Sequence, residues 1–162
     1  MTYYFSKFLS TDTLQGAYSS IYPEDVREFP IVKIGNRNQV VLSQLAKNMQ
    51  ELNISFQKSS RLFMDYFMVK LNLEKPSKKL QNWFDLEFGD FIKEINKAIK
   101  KVGGEKLTKI DEIGWMEVFE TKKAEIMTLK GQITKTDAQI DDMVYELYGL
   151  TDEEIAIVET EK

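Results

Sequence analysis

Apolar residues recur at helical spacing along most of this chain. From Asn38 to about Glu74 they fall at Leu42, Leu45, Met49, Leu52, Phe56, Phe63 and Tyr66, with polar Ser59 as the one interruption. Steps alternating three and four residues are the seam of a heptad repeat, so this stretch predicts one long helix. At 1.5 Å per residue it makes a rod of roughly 50 Å, too long to be wrapped inside a small globule. It must lie alongside other helices. Pro76 is expected to end it, because proline lacks the N–H that the next turn needs.

Three further helical elements follow. Ser77 is placed to cap a helix over about 78–102 with the stripe Leu80, Phe84, Phe88, Phe91, Ile92, Ile95 and Ile99, and Gly103-Gly104 supplies its stop. A short connector spans Leu107–Gly114. From about Trp115 to Tyr148, Phe119, Ile126, Ile133, Ile140 and Leu147 recur every seven residues, with Leu129, Thr136 and Met143 on the alternate seam. Thr136-Asp137-Ala138-Gln139 matches a capping box, so this pattern reads as one helix or as two. Gly149 then closes the helix. Thr151 and Glu154 form a second capping box, flanked by the apolar pair Leu150 and Ile155, and start a short last helix expected to fold back on the long one.

The beginning of the chain is different. Pro23 and Pro30 both lie there, with turn signals at Ser10-Thr11-Asp12, Ser19-Ser20, Tyr22-Pro23 and Gly35-Asn36. Phe29-Pro30-Ile31-Val32-Lys33-Ile34 reads as a short β run at a strand start or sheet edge. The expectation is a mostly α protein: a bundle of long antiparallel helices over 39–162, ending in a short capping helix, after a small irregular or β-containing segment over 1–38.

Composition narrows the chemistry. The 162 residues suffice for one domain with a real core, since a chain of this size hides roughly 70% of its unfolded surface. There is no Cys and no His, which excludes disulfides, thiol nucleophiles, imidazole bases and Cys- or His-ligated metals. No apolar run of about 18 residues is present, so no membrane span is expected. MTYYFSKFLS lacks the basic and apolar regions of a signal peptide, and the cytoplasm is the expected location.

The catalytic look-alikes fail on geometry. Gly103-Gly104-Glu105-Lys106-Leu107-Thr108 has the residue types of a phosphate loop but not its glycine-to-lysine spacing. Asp111 with Glu120-Thr121-Lys122 imitates a metal-dependent nuclease pattern, yet the second part lies inside a helical heptad. Adjacent Asp141 and Asp142 would point about 100° apart on a helix. Phe84, Phe88, Phe91 and Phe119 belong to the core, whereas Tyr3, Tyr4, Tyr18 and Tyr22 are less constrained.

Charge is more informative. Residues 137–162 hold nine acids and one base, while 1–136 hold 21 bases and 17 acids, so a net charge of −4 divides into a tail of −8 and a body of +4. Lysines gather at Lys75, Lys78 and Lys79 and again at Lys93, Lys97, Lys100, Lys101, Lys106 and Lys109. Lys93, Lys97 and Lys100/Lys101 share one helix face, suited to tracking phosphates. Side chains able to read bases gather in the irregular segment instead. The candidate DNA-contacting residues are Lys7, Ser19, Ser20, Arg27, Lys33, Asn36, Arg37, Asn38, Lys97 and Lys101.

The run Ile140-Asp141-Asp142-Met143-Val144-Tyr145-Glu146-Leu147-Tyr148-Gly149-Leu150-Thr151-Asp152-Glu153-Glu154-Ile155 resembles the C-terminal signature of type IIG restriction-modification enzymes and related adenine-specific DNA methyltransferases. Upstream, Phe29-Pro30-Ile31, Gln39 and the Leu42, Leu45, Met49 helix are similar to the transition from their recognition domain into its helical segment. The likeness is to the TaqI-like C-terminal specificity domain. It implies that 1–38 is the end of a DNA target-recognition domain, and that the chain is a non-catalytic C-terminal portion without methyltransferase, methyl-donor or nuclease motifs. It further implies double-stranded DNA as a partner, bound weakly by this piece alone, together with the methyltransferase and nuclease portions of a parent enzyme. S-adenosylmethionine and Mg²⁺ would belong to that parent, and no cofactor to this chain. The alternative is a helical interaction module that self-associates through its heptad seams.

Overall fold

The computed structural model describes residues 27, 31–73 and 75–160. Among them are five α-helices and one 3-10 turn: α1 (Asn36–Lys70), α2 (Lys78–Gln81), the 3-10 turn Trp83–Asp85, α3 (Phe88–Lys101), α4 (Lys109–Tyr148) and α5 (Asp152–Thr160). The protein is mostly α, as the periodicity predicts. Two compact units are present: Met1–Leu42 with Ile140–Lys162, and Ser43–Gln139.

No strand occurs among the described residues. Residues 31–34, expected in a β run, are irregular, and Ile31 is 80% exposed. Apolar alternation over so few residues needs a partner strand to accept its backbone, and the described chain offers none.

Within Ser43–Gln139 the long helices run antiparallel. Asn48 Nδ2 reaches Thr136 Oγ1 at 3.4 Å, Phe63 meets Phe119 with ring centroids 6.4 Å apart, and Phe67 meets Trp115 at 4.3 Å. Position rises on α1 as it falls on α4, nearly residue for residue, so the two seams close on each other here. The register drifts along α1. Tyr66, expected in the seam, is 52% exposed, and Phe67 is fully buried in its place. A straight helix slips about 20° per heptad against a strict seven-residue repeat, and three heptads from Leu42 suffice to replace position 66 by 67.

α4 is a single helix through Thr136. That hydroxyl donates to the Gln132 carbonyl (2.9 Å) and accepts from Asn48, so it serves the inside of the helix and caps nothing. Its true start is earlier than Trp115. Thr108 Oγ1 accepts from the Asp111 N–H (3.3 Å), and Asp111 Oδ2 accepts from the Thr108 N–H (2.9 Å), a reciprocal cap that begins the helix at Lys109. The Thr108 hydroxyl also donates to Asp111 Oδ2 (2.6 Å), and that bond first, then the one from the Thr108 N–H, holds the Asp111 carboxyl below its ordinary 3.8. Because the folded value is lowered, the cap's contribution is present above the ordinary carboxylate range and lost as pH falls through the folded value. Thr108→Ala should move the Asp111 titration, followed by carboxyl NMR, back up toward ordinary values. An unmoved titration would remove the hydroxyl as the cause.

The expected helix over 78–102 is broken. Leu86 and Glu87 are extended, with ψ of 151° and 153°, between the 3-10 turn and α3. The stripe that predicts one helix omits Trp83, which is fully buried. On an unbroken helix Trp83 would stand about 100° from Phe84. Leu80, Trp83 and Phe84, spaced i, i+3, i+4, share one face, and the break lets that face and the α3 stripe both turn to the core. Lys123 Nζ satisfies the Leu86 carbonyl at 2.8 Å and pairs with Glu87 at 2.9 Å.

The ends of α1, α3 and α4 share one device. Asn72 (φ 51°), Gly103 (φ 74°) and Gly149 (φ 63°) are the positive-φ residues of the described chain. Each is followed by an N–H that reaches back across the last turn: Leu73 to Met68 (2.9 Å), Gly104 to Ile99 (3.0 Å) and Leu150 to Tyr145 (3.1 Å). The two glycine stops match the sequence reading. Asn72 ends α1 at Lys70, ahead of the expected stop at Glu74-Pro76. Thr151 and Glu154 form their predicted box, with bonds of 2.9 and 3.3 Å, and the Tyr145 hydroxyl donates to Glu159, so α5 folds back on the end of α4.

Candidate phosphate-binding groove

The core fixes the place of a lysine-lined groove. Phe63, Phe67, Trp83, Phe91 and Phe119 are all buried in one cluster that joins α1, the 3-10 turn, α3 and α4. Ile92, Ile95 and Ile99 turn the apolar stripe of α3 into the same cluster. Its lysines are left outside, beside the loop that carries the chain from α1 to α2.

Between that loop and α3 lies an open groove of about 1290 Å³, lined by Lys75, Lys97, Lys100 and Lys101, with Glu94 as its acid and Leu73, Pro76, Ala98 and Val102 as apolar wall. Lys97 Nζ sits 2.6 Å from Glu94, and Lys93 sits 2.7 Å from Asp90. The Lys97 hydrogen bond holds Glu94 below the usual carboxylate range, against a smaller opposing effect of burial. The Lys93 hydrogen bond and charge lower Asp90 and are answered by a raised Lys93. Lys79 lowers both carboxyls as well, so the α2 lysines are part of the same positive field. Lys75, Lys78, Lys79, Lys100 and Lys101 make no ion pair among the described residues.

Of the sequence candidates, the structure brings Lys97 and Lys101 together on this groove. Arg27, Lys33, Asn36, Arg37 and Asn38 are exposed and belong to the other compact unit. Asn36, Arg37 and Asn38, expected in an irregular segment, form the first turn of α1, where the Gly35 carbonyl accepts from Gln39 N–H at 3.0 Å. Lys7, Ser19 and Ser20 lie outside the described residues. Sequence candidates omitted Lys75 and Lys100. Lys100 was legible on the lysine face of α3, whereas Lys75 joins only through the Asn72 turn.

The catalytic look-alikes resolve into local structure. Gly103 is a helix stop, and Leu107 N–H is held by Asn96 Oδ1 at 2.9 Å. Lys122 pairs with Glu125 at 2.8 Å in mid-helix, and Asp111 is a capping residue. Among the described residues no group of three or more acids is gathered as a metal site, and no helix is long and apolar enough to cross a membrane.

Neither the curated proteins nor the solved structures gave a match to the chain. A family model described as a domain of unknown function, DUF8810, matches residues 35–144. It opens at the carbonyl that starts α1, takes in both antiparallel helices and the lysine groove, and covers most of the sequence; this chain belongs to the DUF8810 family.

Proposed function

We propose that this chain is the non-catalytic, helical portion of a DNA-specificity region, which helps to position a DNA methyltransferase or endonuclease on its duplex. The lysine groove carries this reading. Its four lysines against one glutamate, already engaged by Lys97, supply positive charge to phosphates without the forked donors that read base edges. The resemblance of residues 140–155 to restriction-modification tails supports the same assignment. DNA is the partner, held weakly by this piece alone, and the methyl donor and Mg²⁺ are the parent enzyme's.

The test is duplex binding by the full chain across a salt series. Wild type should bind weakly, above micromolar at physiological salt, with little sequence preference. Lys97→Glu with Lys101→Glu should weaken binding to every duplex alike. It should also flatten the log–log salt dependence by about 1.8, at roughly 0.9 per phosphate contact. Binding unaltered by the double reversal removes the groove from the function. Submicromolar, sequence-specific binding by the isolated chain refutes the supporting role.

A further inference from the structure

The lysine groove contains an anion of its own. Glu94 and Lys97 stand one turn apart on α3, both line the groove, and Lys97 Nζ meets Glu94 Oε1 at 2.6 Å. The two side chains differ in setting, because Lys97 is 66% exposed and Glu94 only 14%. The preceding pair, Lys93 with Asp90 at 2.7 Å, has the same spacing on the same helix. Both of its members are open to solvent, and neither lines the groove. The Lys97 hydrogen bond is the main influence on the Glu94 carboxyl, and the charges of Lys97, of Lys79 on α2 and of Lys101 bear on it too. Asp90 also feels Lys79 and Lys97, but from outside the groove. Glu94 therefore puts a half-sheltered carboxylate where lysines of two elements converge.

A phosphate oxygen entering the groove is the same kind of group, a charged acceptor for lysine N–H donors. We infer that Glu94 is an internal competitor for phosphate: its carboxylate holds Lys97 in the groove, and a DNA phosphate binds by taking Lys97 from it. The inference rests on the reading of the groove as a phosphate site. Its consequence is for specificity. Lysines hold every sequence alike, and a strong hold of that kind detains an enzyme at the wrong sites. A competitor inside the groove keeps the hold weak and leaves the choice of site to contacts with base edges. The number of phosphate contacts is unchanged, because Lys97 still reaches DNA once Glu94 releases it.

Duplex binding by the full chain, across the same salt series, tests the competitor. Glu94→Gln keeps the side chain's length and removes its charge. It should tighten binding by about fivefold, the upper end of what a surface ion pair contributes, with the log–log salt slope near the wild-type value. Asp90→Asn makes the same change in net charge on the same helix and should alter affinity by less than about twofold. Lys97→Gln separates displacement from plain repulsion. With no lysine to release, adding Glu94→Gln should then gain about twofold or less. Equal gains from Glu94→Gln and Asp90→Asn overturn the inference. So does the same gain with and without Lys97, or no gain at all. The double reversal Lys97→Glu with Lys101→Glu separates the two levels. If it weakens binding while Glu94→Gln changes nothing, the groove keeps its phosphate role and the competitor falls. If it leaves binding unaltered, the phosphate role falls and the competitor with it.

Discussion

Phe119→Ala should lower the stability of the Ser43–Gln139 unit by about 3–5 kcal/mol, the range for deleting a buried phenylalanine. Phe119 is fully buried and its ring touches three elements. Centroids lie 4.9 Å from Phe91, 5.6 Å from Trp83, 5.4 Å from Phe88 and 6.4 Å from Phe63. Lys123 Nζ also lies over it at 5.8 Å. Rings on separate helices cannot all move into one vacated space, so the cavity persists and its cost adds to the lost transfer energy. Urea unfolding followed by tryptophan fluorescence gives the loss directly, and melting should fall on the order of ten degrees. Tyr66→Ala is the comparison, because its half-exposed ring should cost far less. A Phe119→Ala loss below about 1 kcal/mol would mean that the aromatic cluster does not hold the unit together.

This cluster also shows how far the sequence could be read. Phe84, Phe91 and Phe119 are buried where the stripes put them, and Phe88 is half-buried. Periodicity works there because each residue answers to one helix and one face. It fails where two constraints compete. Tyr66 and Phe67 are adjacent, and the choice between them rests on slippage accumulated over three heptads. Trp83 is off the stripe that runs on into α3, and the break at Leu86-Glu87 lets its face and that stripe both turn inward. Caps were legible where glycine or a Thr-x-x-Glu spacing announced them, as at Gly103, Gly149 and Thr151. They were missed where a less expected residue does the same work, as at Asn72 and in the Thr108–Asp111 box. The groove inherits both outcomes. Lys97, Lys100 and Lys101 follow from four-residue spacing on α3. Lys75 faces them only because Asn72 adopts a left-handed turn four residues before Pro76.

Trp83→Ala should cost as much as Phe119→Ala, about 3–5 kcal/mol, and Trp83→Phe separates its causes. Trp83 has two roles. Its ring packs on Phe63 at 4.1 Å and Phe119 at 5.6 Å, and its Nε1 donates to the Ser60 carbonyl at 3.1 Å. Phenylalanine keeps most of the packing and loses the bond, for which about 0.5–1.5 kcal/mol is expected. The Ser60 carbonyl lies inside α1 and keeps its helical partner, so the lost bond leaves it half-satisfied rather than orphaned. Packing should therefore account for the larger share of the alanine cost. Trp115 remains in both variants as the fluorescent reporter. The same pair bears on the lysine groove, because Trp83 pins the segment between α2 and α3 to α1. With that pin removed, Lys75, Lys78 and Lys79 are no longer held against the lysines of α3. Trp83→Ala, measured well below its unfolding transition, should then weaken polyanion binding, and Trp83→Phe should not. Equal binding by the two variants would mean that the loop keeps its place through Asn72 and Ser77 alone. Equal stability of the two would mean that the indole N–H, and not the ring, is what the broken helix secures.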